Sequence, residues 1–207
     1  MIAAVGARYG NDPSVKVFAD NYANGQTNDW AVPSSPAVDG LPPAGSSQES
    51  RWLTAGWTHA KMVDAGKQTI DALMASFPNS SIYIAMGPVK SAKMEPQGEY
   101  ALNTEVRAYA RSKYGDRLLP GKNSCNGSTC LSDWQKESPP FGAQALWSAF
   151  KKPVEMMPWG NPNNLTPDQI LRLTFDNAKG CTIYEVYQAD VVNLPAAVTH
   201  GKEVIAP

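Results

Sequence analysis

Five short apolar runs recur along the chain, and helix-like stretches separate them: residues 15–19 (VKVFA), 81–87 (SIYIAMG), 117–120 (RLLP), 153–158 (PVEMMP) and 182–187 (TIYEVY). Each run is followed by polar, glycine, proline or aromatic residues. Short buried strands alternating with helices predict an α/β fold, a parallel sheet covered by helices. In such folds ligands meet the protein just past the ends of the strands, so the residues that follow each run are the first candidates for function.

The helical segments are read from spacing and punctuation. Residues 2–9 form the last turns of a helix, stopped by Gly10-Asn11 and Asp12-Pro13. Residues 20–50 are rich in Asn, Gly, Pro and Ser and read as one long loop. Residues 51–77 carry apolar side chains at helical spacing, interrupted by Gly56 and Gly66, which divides the segment into one helix or two. Further helices are predicted over 99–114, over 141–150 after Pro139-Pro140, and over 167–178. In the last of these Thr166 is suited to the N-cap, Pro167 to the first helical position and Asp168 to the first turn. Residues 193–207 read as a closing segment or tail.

The chain has 207 residues, enough for one large domain, and a formal net charge of -1 with no run of Lys or Arg longer than two. This balance argues against a nucleic-acid partner or an anionic membrane surface. No stretch of about 18 apolar residues is present to span a membrane, and Met1 leads into Ile2–Val5 without the features of a signal peptide. Cys125 and Cys130, separated by four intervening residues in a Gly/Ser-rich loop, could form a local disulfide or remain two loop thiols, and Cys181 opens the last run as packing. A bridge, together with the glycosylation triplets at Asn79 and Asn126, would suit an extracellular or cell-surface protein. His59 and His200 are too few and too distant in sequence for a histidine metal centre, and His59 reads as a satisfied or exposed helical side chain. Residues 20–29 (DNYANGQTND) have oxygen ligands at some calcium-loop offsets, but Tyr22 and Ala31 occupy two that need oxygens. No metal or cofactor is therefore expected. Neither a Gly-x-Ser-x-Gly elbow nor a phosphate loop is present.

Several phrases are similar to those of (β/α)8-barrel glycoside hydrolases. Arg8-Tyr9-Gly10-Asn11-Asp12-Pro13 resembles the lead-in to their fourth strand, residues 72–78 the approach to the fifth, and residues 180–190 (GCTIYEVYQAD) an eighth strand bearing a glutamate. The resemblance extends over nearly the whole chain and implies a single domain, 1–207, equivalent to the later units of a TIM barrel. The first three β/α units are then missing, to be supplied by another segment or chain. A doubly wound open sheet is the competing architecture; no Gly-x-Gly-x-x-Gly follows any run to support it.

The resemblance implies a carbohydrate substrate and a pair of carboxylates placed across the glycosidic bond. Glu185 is the leading candidate, because a carboxylate inside an apolar strand needs a partner or a polar pocket; the alternative is a structural ion pair. Asp20, closing the first run, is the second carboxylate, and Asp29 beside Trp30 the next. Glu155 lies inside the fourth run, near where barrel glycosidases place a nucleophile. The resembling enzymes carry a glutamate after the fourth strand, whereas here Asp20-Asn21 stand in that region and no glutamate occurs before Glu49. Tyr22, Trp30, Trp159 and Tyr187 are candidates to stack on sugar rings, with Asn21, Asn123 and Gln144 to bond hydroxyls. Trp52, Trp57 and Trp147 lie on helical segments and read as core. The expected function is a glycoside hydrolase-like protein; the alternative is a non-catalytic carbohydrate-binding or cell-surface module on a degenerate barrel.

Overall fold

Parallel strands alternate with helices, as the spacing of the apolar runs predicts. The computed structural model describes residues 1–19, 48–85, 89, 93–98, 100–122, 125–127, 140–145, 147–157, 161 and 163–205. The chain divides into two compact units, Met1–Leu118 and Leu119–Pro207.

The first unit contains α1 (Ile2–Tyr9), β1 (Val17–Ala19), α2 (Gln48–Thr54), α3 (His59–Ser76), β2 (Ser81–Ala85) and α4 (Ala101–Tyr114). β1 and β2 run parallel, with Val17 opposite Ser81 and Ala19 opposite Tyr83. The segment expected as one or two helices is two. Gly56 takes a φ of 86°, open to glycine and strained for other residues, and Thr58 caps α3 by accepting from the Lys61 amide. The first helix begins at Gln48, inside the stretch expected to be loop. Ile70, Leu73, Phe77, Ile82, Leu102, Val106, Ala110 and Leu118 are buried together as the core of this unit. Arg117 closes the C-terminal end of α3: its Nη2 donates to the carbonyls of Phe77 at 2.6 Å and Met74 at 3.3 Å. A guanidinium there satisfies carbonyls that have no helical partner and suits the negative end of the helix dipole. α1 lies so close to α3 that a Cβ on Gly6 would stand 2.4 Å from the Ser76 Cβ.

The second unit contains β3 (Leu118–Lys122, whose first residue belongs to the first unit), β4 (Phe141–Gln144), α5 (Pro167–Asn177), β5 (Cys181–Glu185), α6 (Gln188–Asn193) and α7 (Pro195–Ile205). β4 pairs parallel with β3 and with β5. α5 begins as the sequence predicts, with a full capping box: Thr166 Oγ1 accepts from the Gln169 amide, and Gln169 Oε1 accepts from the Thr166 amide. Ile170, Leu171 and Phe175 of α5 are buried with Ala197 of α7, and Phe175 meets Tyr184 of β5 edge-on with ring centroids 5.0 Å apart.

Two expectations are corrected here. Residues 141–150 do not form a helix; Phe141–Gln144 is the middle strand of this unit, buried through Phe141, Gly142 and Ala143. Residues 153–157 are not a strand. They form turns, with Lys152 N bonded to Ser148 O and Met156 N to Lys152 O. Met156 is buried there, while Val154 is 67 % exposed, so the run lacks the regular inward face that holds a strand in a sheet. Of the two readings of residues 193–207, a closing segment or a tail, the first holds: α7 occupies Pro195–Ile205, with Ala197 and Gly201 buried.

Candidate functional site

The two strand ends that carry sequence candidates meet in the second unit. Gln144 is the last residue of β4 and Glu185 the last of β5, and the two are register partners. The Ala145 amide donates to the Glu185 carbonyl at 3.4 Å, and the Cys125 amide to the Gln144 carbonyl at 3.0 Å, carrying the backbone contacts past the ladder. Side chains alternate along a strand. Tyr184 and Val186 pack into the core with α5 and α7, so Glu185 belongs to the opposite face, and its register partner Gln144 shares that face. Glu185 is exposed and Gln144 half-buried. Tyr187, at the N-cap of α6, is 44 % exposed. A carboxylate, a carboxamide and an aromatic ring thus sit at the C-terminal ends of two adjacent parallel strands.

This end of the unit is braced by Asp190, which is wholly buried. Its Oδ1 accepts from Ser148 Oγ at 2.7 Å and the Phe150 amide at 2.8 Å, and its Oδ2 from the Ala149 amide at 3.1 Å. The exit from β5 is thereby fastened to the turn that follows β4, and Asp190, wholly buried and bonded through both oxygens, is closed to a ligand. Another tie runs from the Tyr184 hydroxyl to the Cys125 carbonyl at 3.0 Å. A groove of about 430 Å³ beside β5 is lined by Phe175, Ile183, Tyr184, Val186, Val198 and Ile205 among others. Its wall is mainly apolar and does not include Glu185.

The other candidates divide as follows. Glu155 is exposed on the turns between β4 and α5 rather than within a strand, because the run that was to carry it does not pair. Asp20, Asn21, Tyr22, Asp29, Trp30, Asn123 and Trp159 lie outside the described residues, as does Cys130. Cys125 is fully buried. Cys181 is a free thiol, and burial pushes its pKa up to about 12. Asn79 is exposed, whereas Asn126 is 5 % exposed and closed to a glycosylating enzyme in the folded state. Trp57 is core, as expected, with its indole N–H donating to the Met94 carbonyl at 2.8 Å.

A second cluster, in the first unit, has no single sequence signal. His59 is the first residue of α3. Its Nδ1 lies 2.8 Å from Glu95 Oε2 and its Nε2 3.1 Å from Glu105 Oε2. Lys67 Nζ donates to the other oxygen of Glu105 at 2.9 Å. Burial alone would lower the His59 pKa; the hydrogen bonds and charges of Glu95 and Glu105 outweigh it and hold the imidazole above its ordinary value. The bonds from Lys67 and His59 hold the Glu105 carboxyl below its own. Among the described residues no group of His, Cys, Asp and Glu is arranged to hold a metal ion, and no helix is long and apolar enough to cross a membrane. No protein-family model, curated protein or solved structure matches this chain.

Proposed function

We propose that this chain is a glycoside hydrolase-like α/β protein that engages carbohydrate at the ends of β4 and β5. The observation that carries the reading is the register pairing of Gln144 with Glu185 at the final position of two parallel strands. A carboxylate accepts hydrogen bonds from sugar hydroxyls, and a carboxamide both donates and accepts. Tyr187 adds an exposed ring for the apolar face of a pyranose. Binding is the primary function proposed. Hydrolysis is the second reading, because it requires two carboxylates, and among the described residues the nearby Asp190 is buried and bonded to Ser148, Ala149 and Phe150. Any hydrolytic activity would depend on Glu185. Export to the cell surface, with Cys125 and Cys130 bridged, accompanies this reading; burial of Cys125 and the exposed Asn79 sequon support it.

The test is a panel of oligosaccharides and chromogenic glycosides applied to the wild-type chain and to Glu185→Gln. Binding at millimolar concentration or better, weakened about tenfold or more by Glu185→Gln through loss of a charge-assisted hydrogen bond, is the expected result. Turnover lost in the variant while binding survives would move the protein to the hydrolytic reading. No binding and no turnover across the panel would refute both.

A further inference from the structure

We propose that the His59 imidazolium is a proton-dependent latch, fastening the 93–98 loop and α4 to the start of α3. The inference comes from the first unit and does not depend on carbohydrate binding. Both imidazole nitrogens face carboxylate oxygens, which are acceptors. A neutral imidazole has one N–H and can serve one of them; the imidazolium has two and serves both. Loss of the proton sets a nitrogen lone pair against a carboxylate oxygen. Glu95 has a side chain with no solvent exposure, and its Oε1 makes no hydrogen bond, so the bond from His59 is what satisfies this carboxylate. Glu95 and Glu105 are the charged groups that act on His59, from the loop and from α4. Lys67, on α3 itself, reaches it through Glu105. The positive N-terminal end of α3 opposes the proton, and the two carboxylates overcome it.

The place of the latch gives it a consequence. The 93–98 loop lies between β2 and α4, beyond the C-terminal end of a parallel strand, where α/β proteins bind ligands. Gln97 and Gly98 of the loop, with Tyr100, Ala101, Thr104 and Glu105, line an open groove of about 530 Å³. Glu105, one of the two carboxylates on His59, belongs to that lining, so opening of the latch releases a group on the groove wall. The sign follows from the direction of the shifts. His59 is raised above 6.5, so its contribution is complete below that value and is lost as pH climbs through the higher folded-state pKa. Glu105 is lowered from 4.5, so its contribution is present above that value and is lost in stronger acid. The latch is closed in mildly acidic water and opens on the alkaline side.

Amide hydrogen exchange of residues 93–98, expressed as protection factors that divide out the intrinsic pH dependence, tests this on the full chain. Protection is expected to fall about tenfold or more between about pH 5.5 and pH 9, the scale of one charge-assisted hydrogen bond. The fall should track the His59 ring resonance titrating above 6.5, distinguished from His200 by comparison with His59→Gln. His59→Gln should abolish the pH dependence. Should that variant not fold, Glu105→Gln, altered on the exposed side, must lower the His59 midpoint. Protection that ignores pH, a His59 midpoint at or below 6.5, or a midpoint unmoved by Glu105→Gln would overturn the latch.

Discussion

Replacing Asp190 by alanine removes a wholly buried carboxylate that accepts three hydrogen bonds. The consequences differ among the donors. The Phe150 side chain is 44 % exposed, so water has access to that end of the turn, whereas Ala149 is fully buried and its amide is left without an acceptor. An orphaned buried donor costs about 1–3 kcal/mol, and each bond to a charged acceptor contributes about 1.5–3 kcal/mol. Part of this is recovered by relaxation, and the expected loss for Asp190→Ala is about 3–5 kcal/mol. Asp190→Asn keeps the shape and one acceptor oxygen but turns an NH₂ group toward a donor, for a loss of about 1–3 kcal/mol. Ser148→Ala removes the bond to Asp190 and the one that Ser148 Oγ accepts from the Lys151 amide at 3.1 Å, for about 1–2 kcal/mol together. Equilibrium urea unfolding followed by far-ultraviolet circular dichroism measures the series. With a slope of about 2 kcal/mol per molar urea, the midpoint of the alanine variant falls by roughly 1.5–2.5 M. A loss below about 1 kcal/mol, or an asparagine variant less stable than the alanine one, would refute the account of Asp190 as the brace of the strand ends.

Gly201→Ala sets helix propensity against packing. Alanine inside α7 should gain about 1 kcal/mol, but its Cβ would stand 2.5 Å from Phe175 Cε2, on a ring that is 2 % exposed. Overpacking at about 1–3 kcal/mol prevails, so the melting temperature should fall by a few degrees; a rise would show that α7 is not seated against Phe175. With Cys125 and Cys130 bridged as proposed, thiol labelling without reductant should find no reactive group in the native protein, because Cys181 is buried with its pKa near 12, and one after denaturation. Three labelled thiols after denaturation would show that Cys125 and Cys130 are not bridged.

The parts of the fold legible in the sequence are those specified by neighbouring residues. Thr166, Pro167 and Asp168 announce the start of α5 within three positions, and the structure adds a capping box through Gln169. β5 is recognisable because Ile183 and Tyr184 form a β-prone run, and its final carboxylate, Glu185, stands out against it. β4 is obscured by its place in the sheet. With a strand on either side and core packing, it carries Gly142 and Ala143 rather than branched residues, and Pro139-Pro140 before it imitate a helix start. Residues 153–158 mislead in the opposite sense, having apolar composition without an inward face. The bonds from His59 to Glu95 and Glu105 span 36 and 46 positions. Only the return of the chain through β2 brings those groups together, and no local pattern encodes it. Likewise the pairing of Gln144 with Glu185 depends on register, which is set once β4 is known to be a strand.

The central claim is that the last residues of β4 and β5 form one ligand-binding edge. Backbone chemical-shift mapping with an oligosaccharide that binds is the most direct measurement. Perturbations are expected to concentrate at Gln144, Ala145, Glu185 and Tyr187, to saturate with a single affinity, and to weaken together in Glu185→Gln. Saturable shifts that fall elsewhere, leaving these four amides unmoved, would contradict it.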